Sequence, residues 1–260
     1  MCFNDEVRMT RYKLTISYDG SKYFGWQIQV QSPTVQETIE TALSHIVKDK
    51  ITVIAAGRTD SGVHALGQVA HFDSSLNITP KNLQIALNSK LPLSIRINDL
   101  HEVHHDFHSR YDATDRTYKY ILTSNQTPFN YLYKTYLPKY RINFEALKTC
   151  LPYFMGEHDF TSFAKPNPEI TNHICHVKNI TVELVNEDIV IMITANRFLH
   201  NMVRRIVGAM ISVSHKQNDP SIITQWIESK KHSQKNYITA PPNGLYLVKI
   251  DYPKINFLNI

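Results

Sequence analysis

Segments patterned as β-strands outnumber helical ones in this chain and several follow one another directly, and that order restricts the fold more than any other feature. Arg11–Tyr18 alternates, with Tyr12, Leu14, Ile16 and Tyr18 on one side and Lys13, Thr15 and Ser17 on the other, as a strand with one dry face does. Strand patterns recur over 51–56, 68–73, 94–103 and 110–123, and again over 177–185, 189–195 and 244–252. Strands joined without a helix between them pair antiparallel, because a parallel connection needs a long crossover. Turns at Asp19-Gly20 and Asn186-Glu187-Asp188 punctuate the pattern.

Helical patterns are fewer. Thr34 and Glu37 form a capping box ahead of an apolar stripe of Val35, Ile39, Leu43 and Ile46. Thr79 caps a second helix reaching about Lys90, with Leu83, Ala86 and Leu87 inward, and further helices are expected over 144–154, 199–214 and 221–230. The expected class is α+β: two similar α/β halves sharing a mostly antiparallel central sheet flanked by helices. The expected division is a leader at 1–10, a first half at 11–124, a connection rich in Pro, Tyr and Asn at 125–142, and a second half at 143–260.

Composition excludes several classes. At 260 residues, with 42% hydrophobic and 20% charged residues, the chain can bury a core and is not compositionally disordered. It has no run of about 18 apolar residues for a membrane span. The charged start MCFNDEVRMTRYK does not read as a secretion signal. Three scattered cysteines, Cys2, Cys150 and Cys175, make no disulfide framework and suit a reducing cytoplasm. The net charge of +5, with 14 Tyr and 11 Phe, is compatible with a nucleic-acid partner.

Three stretches carry residues suited to chemistry. In Gly57-Arg58-Thr59-Asp60-Ser61-Gly62-Val63-His64 two glycines let the backbone turn sharply around Asp60. Arg58 and Asp60, two residues apart, share a face of an extended segment. A positioned carboxylate there can be a nucleophile, a general base or a metal ligand, and the plainer reading is a solvated turn with a surface ion pair. In Asp115-Arg116-Thr117-Tyr118-Lys119-Tyr120, Arg116, Tyr118 and Tyr120 share a strand face, an arrangement suited to a stacked base or simply to a core. In Asn196–Gly208, Met202, Val203, Ile206 and Val207 make the buried stripe of a helix, with Arg204 and Arg205 on its flanks.

Histidines crowd at His101, His104, His105 and His108, and at His173 and His176, but in segments that read as strand and loop, so no metal site is expected. Phosphate-binding, dinucleotide-binding and nucleophile-elbow motifs do not occur. Lys230, Lys231 and Lys235 form a basic cluster, read as a solvated face or as phosphate contacts.

GRTDSGVHA, together with RTYKY, GEHDFTSF, FLHNMVRRIVG and APPNGLYL, resembles the tRNA pseudouridine synthase A family from about Tyr12 to Tyr252. The resemblance implies a cytoplasmic homodimer that isomerises uridines in the anticodon stem-loop of tRNA without metal or cofactor, in a cleft between the halves. It implies that Asp60 is catalytic, that Tyr118 packs against the target base, that Arg204 pairs with the aspartate (Arg205 being the alternative) and that Arg58 contacts RNA backbone. Arg116 and Arg205 are further RNA-contact candidates. This chain has Ser61 where the family often has Ala, and His176 where an Arg is often found nearby. Two other readings compete: a non-catalytic RNA-binding protein of the same fold, and a carboxylate hydrolase of small nucleosides. The latter wants a second acid close to Asp60, which the loop and its flanks do not obviously supply.

Overall fold

A computed structural model describes residues 9–231 and 236–253. The leader apart from Met9 and Thr10, Cys2 and Lys235 lie outside the described residues. The chain forms two compact units, one of residues up to Ala113 together with those from Ile250, the other of Thr114–Lys249. The sequence pattern puts 115–123 in the first half and 125–142 in a connection; the structure packs both within the second unit.

In the first unit, strand β1 (Thr10–Tyr18) lies between β3 (His64–Ser74) and β4 (Ile95–Val103), with the short β2 (Ile54–Ala55) on β3, and all these pairings are antiparallel. The dry face is the expected one: Tyr12, Leu14, Ile16 and Tyr18 are buried, and Tyr12 stacks on its partner Phe72 with ring centroids 5.3 Å apart. Helix α1 (Val35–Val47) starts where Thr34 accepts a hydrogen bond from the Glu37 amide, and it buries Val35, Ile39, Ala42 and Leu43. Helix α2 (Pro80–Lys90), capped by Thr79, lies against β4. The expected strand over 51–56 shrinks to two residues, and β3 begins four residues earlier than its pattern suggests. The β1–β3 register slips between Ile16 and Tyr18, an irregularity of the kind that re-aims side chains beside functional sites.

The second unit orders its strands β9 (Leu245–Asp251), β5 (Asp115–Thr123), β8 (Asp188–Ala195), β7 (Ile174–Val185) and β6 (Gly156–Asp159). β5 with β8, β8 with β7 and β7 with β6 are antiparallel, which makes the class α+β. The β7–β8 turn holds Asn186 at φ 58°. Helix α3 (Phe144–Thr149) is shorter than expected and packs on α4 (Met202–Lys216), whose stripe Met202, Val203, Ile206 and Val207 is buried. A short helix α5 (Ile222–Glu228) follows. The expected strand start at Arg110 is instead a turn, and β6 occupies part of a stretch expected to be loop.

Residues 125–142 are fastened to their own unit. The Thr135 backbone exchanges hydrogen bonds with Ile121 and Thr123 of β5, and the Asn243 side-chain amide donates to the carbonyls of Tyr131 (2.7 Å) and Lys134 (2.8 Å). Gly244 of the PNG turn is required there, since a Cβ would lie 2.6 Å from the Thr135 hydroxyl and 2.7 Å from the Ile121 carbonyl.

Candidate active site

The loop 56–63 is immobilised by its own backbone and by the chain that follows β1. The Ala56 amide donates to the Val69 carbonyl, and the Gln68 side chain donates to the Gly57 carbonyl at 2.8 Å. The Thr59 carbonyl accepts from the Trp26 amide at 3.1 Å, while its buried hydroxyl shares a 2.7 Å hydrogen bond with the Tyr18 hydroxyl. Burial pushes the Tyr18 phenol up, so it stays neutral. The Gly62 amide donates to the Tyr23 carbonyl, and Val63 N–H closes a turn onto the Asp60 carbonyl at 3.2 Å. Gly62, third in that turn, has φ +76°, a conformation that favours glycine.

Two other glycines let the segment after β1 touch this loop. A Cβ on Gly20 would sit 1.9 Å from the Val63 carbonyl oxygen, and one on Gly25 (φ +93°) would sit 2.6 Å from that of Thr59. Asp60 is therefore a half-buried carboxylate on backbone held from two sides, between buried Thr59 and exposed Ser61. Arg58 is exposed, on the same alternation as Asp60. Tyr18, Gly20, Tyr23, Gly25 and Trp26 are support that the sequence reading missed. The signal available was the pair of glycines in DGSKYFG, whose need for close approach shows only once the loop is in place.

In the second unit Tyr118 is half-buried, with its ring edge-to-face on Phe198 at 5.1 Å and 85°. Tyr120, two residues on, is fully buried, its hydroxyl bonded to Thr135 and donating to the Pro241 carbonyl at 2.7 Å. One strand face thus runs from core at Tyr120 to an accessible ring at Tyr118. The Arg116 guanidinium donates to the Asn196 carbonyl at 2.8 Å.

Neither arginine of α4 is a freely solvated surface group. Arg204 donates through Nε to the Ala240 carbonyl (2.7 Å) and through Nη1 to Asn201 Oδ1 (3.0 Å), while its own carbonyl accepts from the Ala240 amide. Arg205 donates to the carbonyls of Ala164 (2.6 Å) and Ser162 (3.3 Å), and the Tyr237 hydroxyl donates to the same Ser162 carbonyl at 2.6 Å. Burial lowers the Arg205 pKa. The GEHDFTSF run is itself a structural knot, since Asp159 Oδ1 accepts from both the amide and the hydroxyl of Thr161.

His104, His105 and Asp106 are exposed and their ligand atoms lie within 4.8 Å of one another, with the two histidines 3.3 and 3.0 Å from the Asp106 carboxylate. Among the described residues no helix is long and apolar enough to cross a membrane. Cys150 and Cys175 are buried free thiols, and burial pushes their pKa values up to about 12 and about 11.

A family model described as tRNA pseudouridine synthase matches residues 14–112 and 151–253. Asp60, Arg58, Arg204 and Arg205 fall inside the matched segments, and Arg116 and Tyr118 fall between them. The tRNA pseudouridine synthase A of Caldicellulosiruptor bescii is 42% identical over 248 residues, covering 94% of this chain and 100% of that protein. The tRNA pseudouridine synthase A 2 of Clostridium perfringens is 39% identical over 248 residues, with the same coverage of 94% and 100%. The tRNA pseudouridine synthase A of Exiguobacterium sp. is 36% identical over 248 residues, covering 95% and 100%. Similarity of that depth along nearly the whole chain means that it belongs to the tRNA pseudouridine synthase family.

Proposed function

We propose that this chain is an isomerase that converts uridines to pseudouridines in the anticodon stem-loop of tRNA, with Asp60 as the catalytic carboxylate. The observation that carries the reading is the clamped Asp60 turn, a half-buried carboxylate on backbone held by hydrogen bonds and by close packing of the segment after β1. Pre-positioning of this kind converts binding energy into rate. In the reaction the N1–C1′ bond of uridine breaks, the uracil rotates, and C5 bonds to C1′. C5 loses its proton and N1 gains one, so the oxidation state is unchanged and neither a metal nor a redox cofactor is required. Asp60 acts either by attacking the substrate or by removing a sugar proton.

A base inside a stem must leave the stack first, and an aromatic ring that receives it offsets about 1–3 kcal/mol of that cost. Tyr118 takes this part, and its half-buried ring on Phe198 supports the assignment. Arg204, held by Ala240 and Asn201, is a substrate-binding cation, and Arg58 contacts RNA backbone. Arg116 is a further RNA contact. Arg205 holds carbonyls of the Thr161–Ala164 turn and acts as a positioning residue. The enzyme works in the cytoplasm as a homodimer.

Asp60→Asn tests the reading. Pseudouridine mapping by primer extension on an unmodified tRNA transcript is expected to find product with the parent and none with the variant, while tRNA affinity stays within a few-fold. Product from the variant removes Asp60 from the chemistry. Binding without product from the parent favours a non-catalytic RNA-binding protein.

A further inference from the structure

The turn after β4 holds an exposed ring on unusually well-fixed backbone. Phe107 and Ser109, both buried, pin it from below. The Phe107 carbonyl accepts from Arg11 at 2.9 Å, and its ring packs against Tyr252 at 5.3 Å. Ser109 is bound at every polar group: its amide donates to His71 Nδ1 (3.2 Å), its hydroxyl to the Ile54 carbonyl (2.6 Å), and its carbonyl accepts from the Tyr252 hydroxyl (2.6 Å). The amides of Arg110 and Tyr111 both donate to His108 Nδ1, at 3.1 and 3.2 Å, and the His108 amide donates to Asp112 at 2.7 Å.

On this scaffold Tyr111 is 75% exposed. Its ring lies 4.2 Å from that of His108, tilted by 33°, and the Arg110 guanidinium stands 5.8 Å from its centroid. His108 in turn meets the buried His71 ring at 4.8 Å. A row of rings thus runs from core to solvent and ends in an exposed tyrosine with a guanidinium over its ring. The charged groups nearby include Arg11 with its partner Asp73, Asp106, which lies against His104 and His105, and Asp112, which accepts from the turn's own backbone. The Ser109–Ile54 bond ties the platform to β2, two residues before the loop that carries Arg58 and Asp60. Aromatic faces on rigid backbone beside guanidinium groups bind unpaired nucleobases by stacking, with little ordering cost.

We propose that Tyr111, backed by His108 and flanked by Arg110, is a stacking site for an unpaired nucleobase of the RNA substrate other than the uridine that is isomerised. The assignment rests on the reading of this chain as a tRNA enzyme, and it makes Tyr111 a substrate-positioning residue outside the chemistry.

Full-length protein carrying Tyr111→Ala is expected to raise both KM and Kd for an anticodon stem-loop RNA about ten-fold while kcat is kept. Tyr111→Phe should restore parental values, because stacking needs the ring and not the hydroxyl. Tyr111→Trp adds an exposed indole to a protein whose Trp26 and Trp226 are buried, so the emission of the added indole should be quenched on titration with the RNA. Parental KM and Kd for the alanine variant, failure of phenylalanine to rescue, or unquenched emission of the added indole at saturating RNA each overturn the proposal. RNA binding that quenches the added indole, in a protein whose parent forms no pseudouridine, supports the stacking site while refuting the isomerase reading. A melting temperature equal to the parent's shows that the alanine variant is folded.

Discussion

Thr59 and Tyr118 show what single side chains contribute. Thr59 faces inward and commits its hydroxyl to Tyr18, so the residues either side of it, Arg58 and Asp60, turn outward. The outward Asp60 was legible from the glycines around it; its anchor Tyr18 reads in the sequence only as the last apolar position of a strand. Tyr118 differs from Tyr120 in burial, which alternation cannot distinguish. Tyr118→Leu keeps apolar area against Phe198 but removes the ring face, so kcat is expected to fall ten-fold or more with KM moving only a few-fold. Steady-state kinetics on a tRNA transcript checks this, and unchanged turnover would make Tyr118 a packing residue. Loss of the edge-to-face pair should cost about 1 kcal/mol of stability, visible as a small drop in melting temperature.

Among the elements, α4 shows local propensity and packing in opposition. Gly208 lies in mid-helix, where alanine is favoured by about 1 kcal/mol. A Cβ there would sit 1.9 Å from the Ile238 carbonyl oxygen, and the same segment holds Arg204 through Ala240. Overpacking against backbone costs about 1–3 kcal/mol, so packing wins. Gly208→Ala should lower the melting temperature by several degrees and reduce turnover through the displaced Arg204, as calorimetry and kinetics on one preparation would show. The strands and helices with strong periodicity, β1, α1 and α4, were readable because a half-buried face imposes its own period. β6 escaped notice because four residues of GEHD pair with β7 without an apolar alternation to announce them. β2 is short because only Ile54 and Ala55 find partners on β3.

At the scale of the whole molecule, pH acts through the cluster under the Tyr111 turn. Burial, with the Arg11 charge in second place, lowers His71 to about 4 from its ordinary 6.5. Between those values the unfolded chain binds a proton that the folded one refuses, so stability rises with pH across that window and is lost as pH falls from about 6.5 toward 4. Asp73, held below the usual carboxylate range chiefly by its hydrogen bonds from Arg11, extends the loss to lower pH. Melting curves from pH 7 to pH 4 should decline, and His71→Gln should flatten the upper part of that decline; an unchanged slope would show that His71 does not set it.

By itself the sequence determined the types of the strongly periodic elements, the dry face of β1 and the apolar stripes of α1 and α4, and the sharp turn that carries Asp60, because these depend on residues a few positions apart. Tertiary structure alone decided which glycines must lie against backbone, that Arg205 holds carbonyls 41 and 43 residues away, and that β5 with residues 125–142 packs in the second unit. Those outcomes arise from contacts between segments remote in the chain, where steric fit and the need to satisfy buried polar groups act only after the backbone has folded.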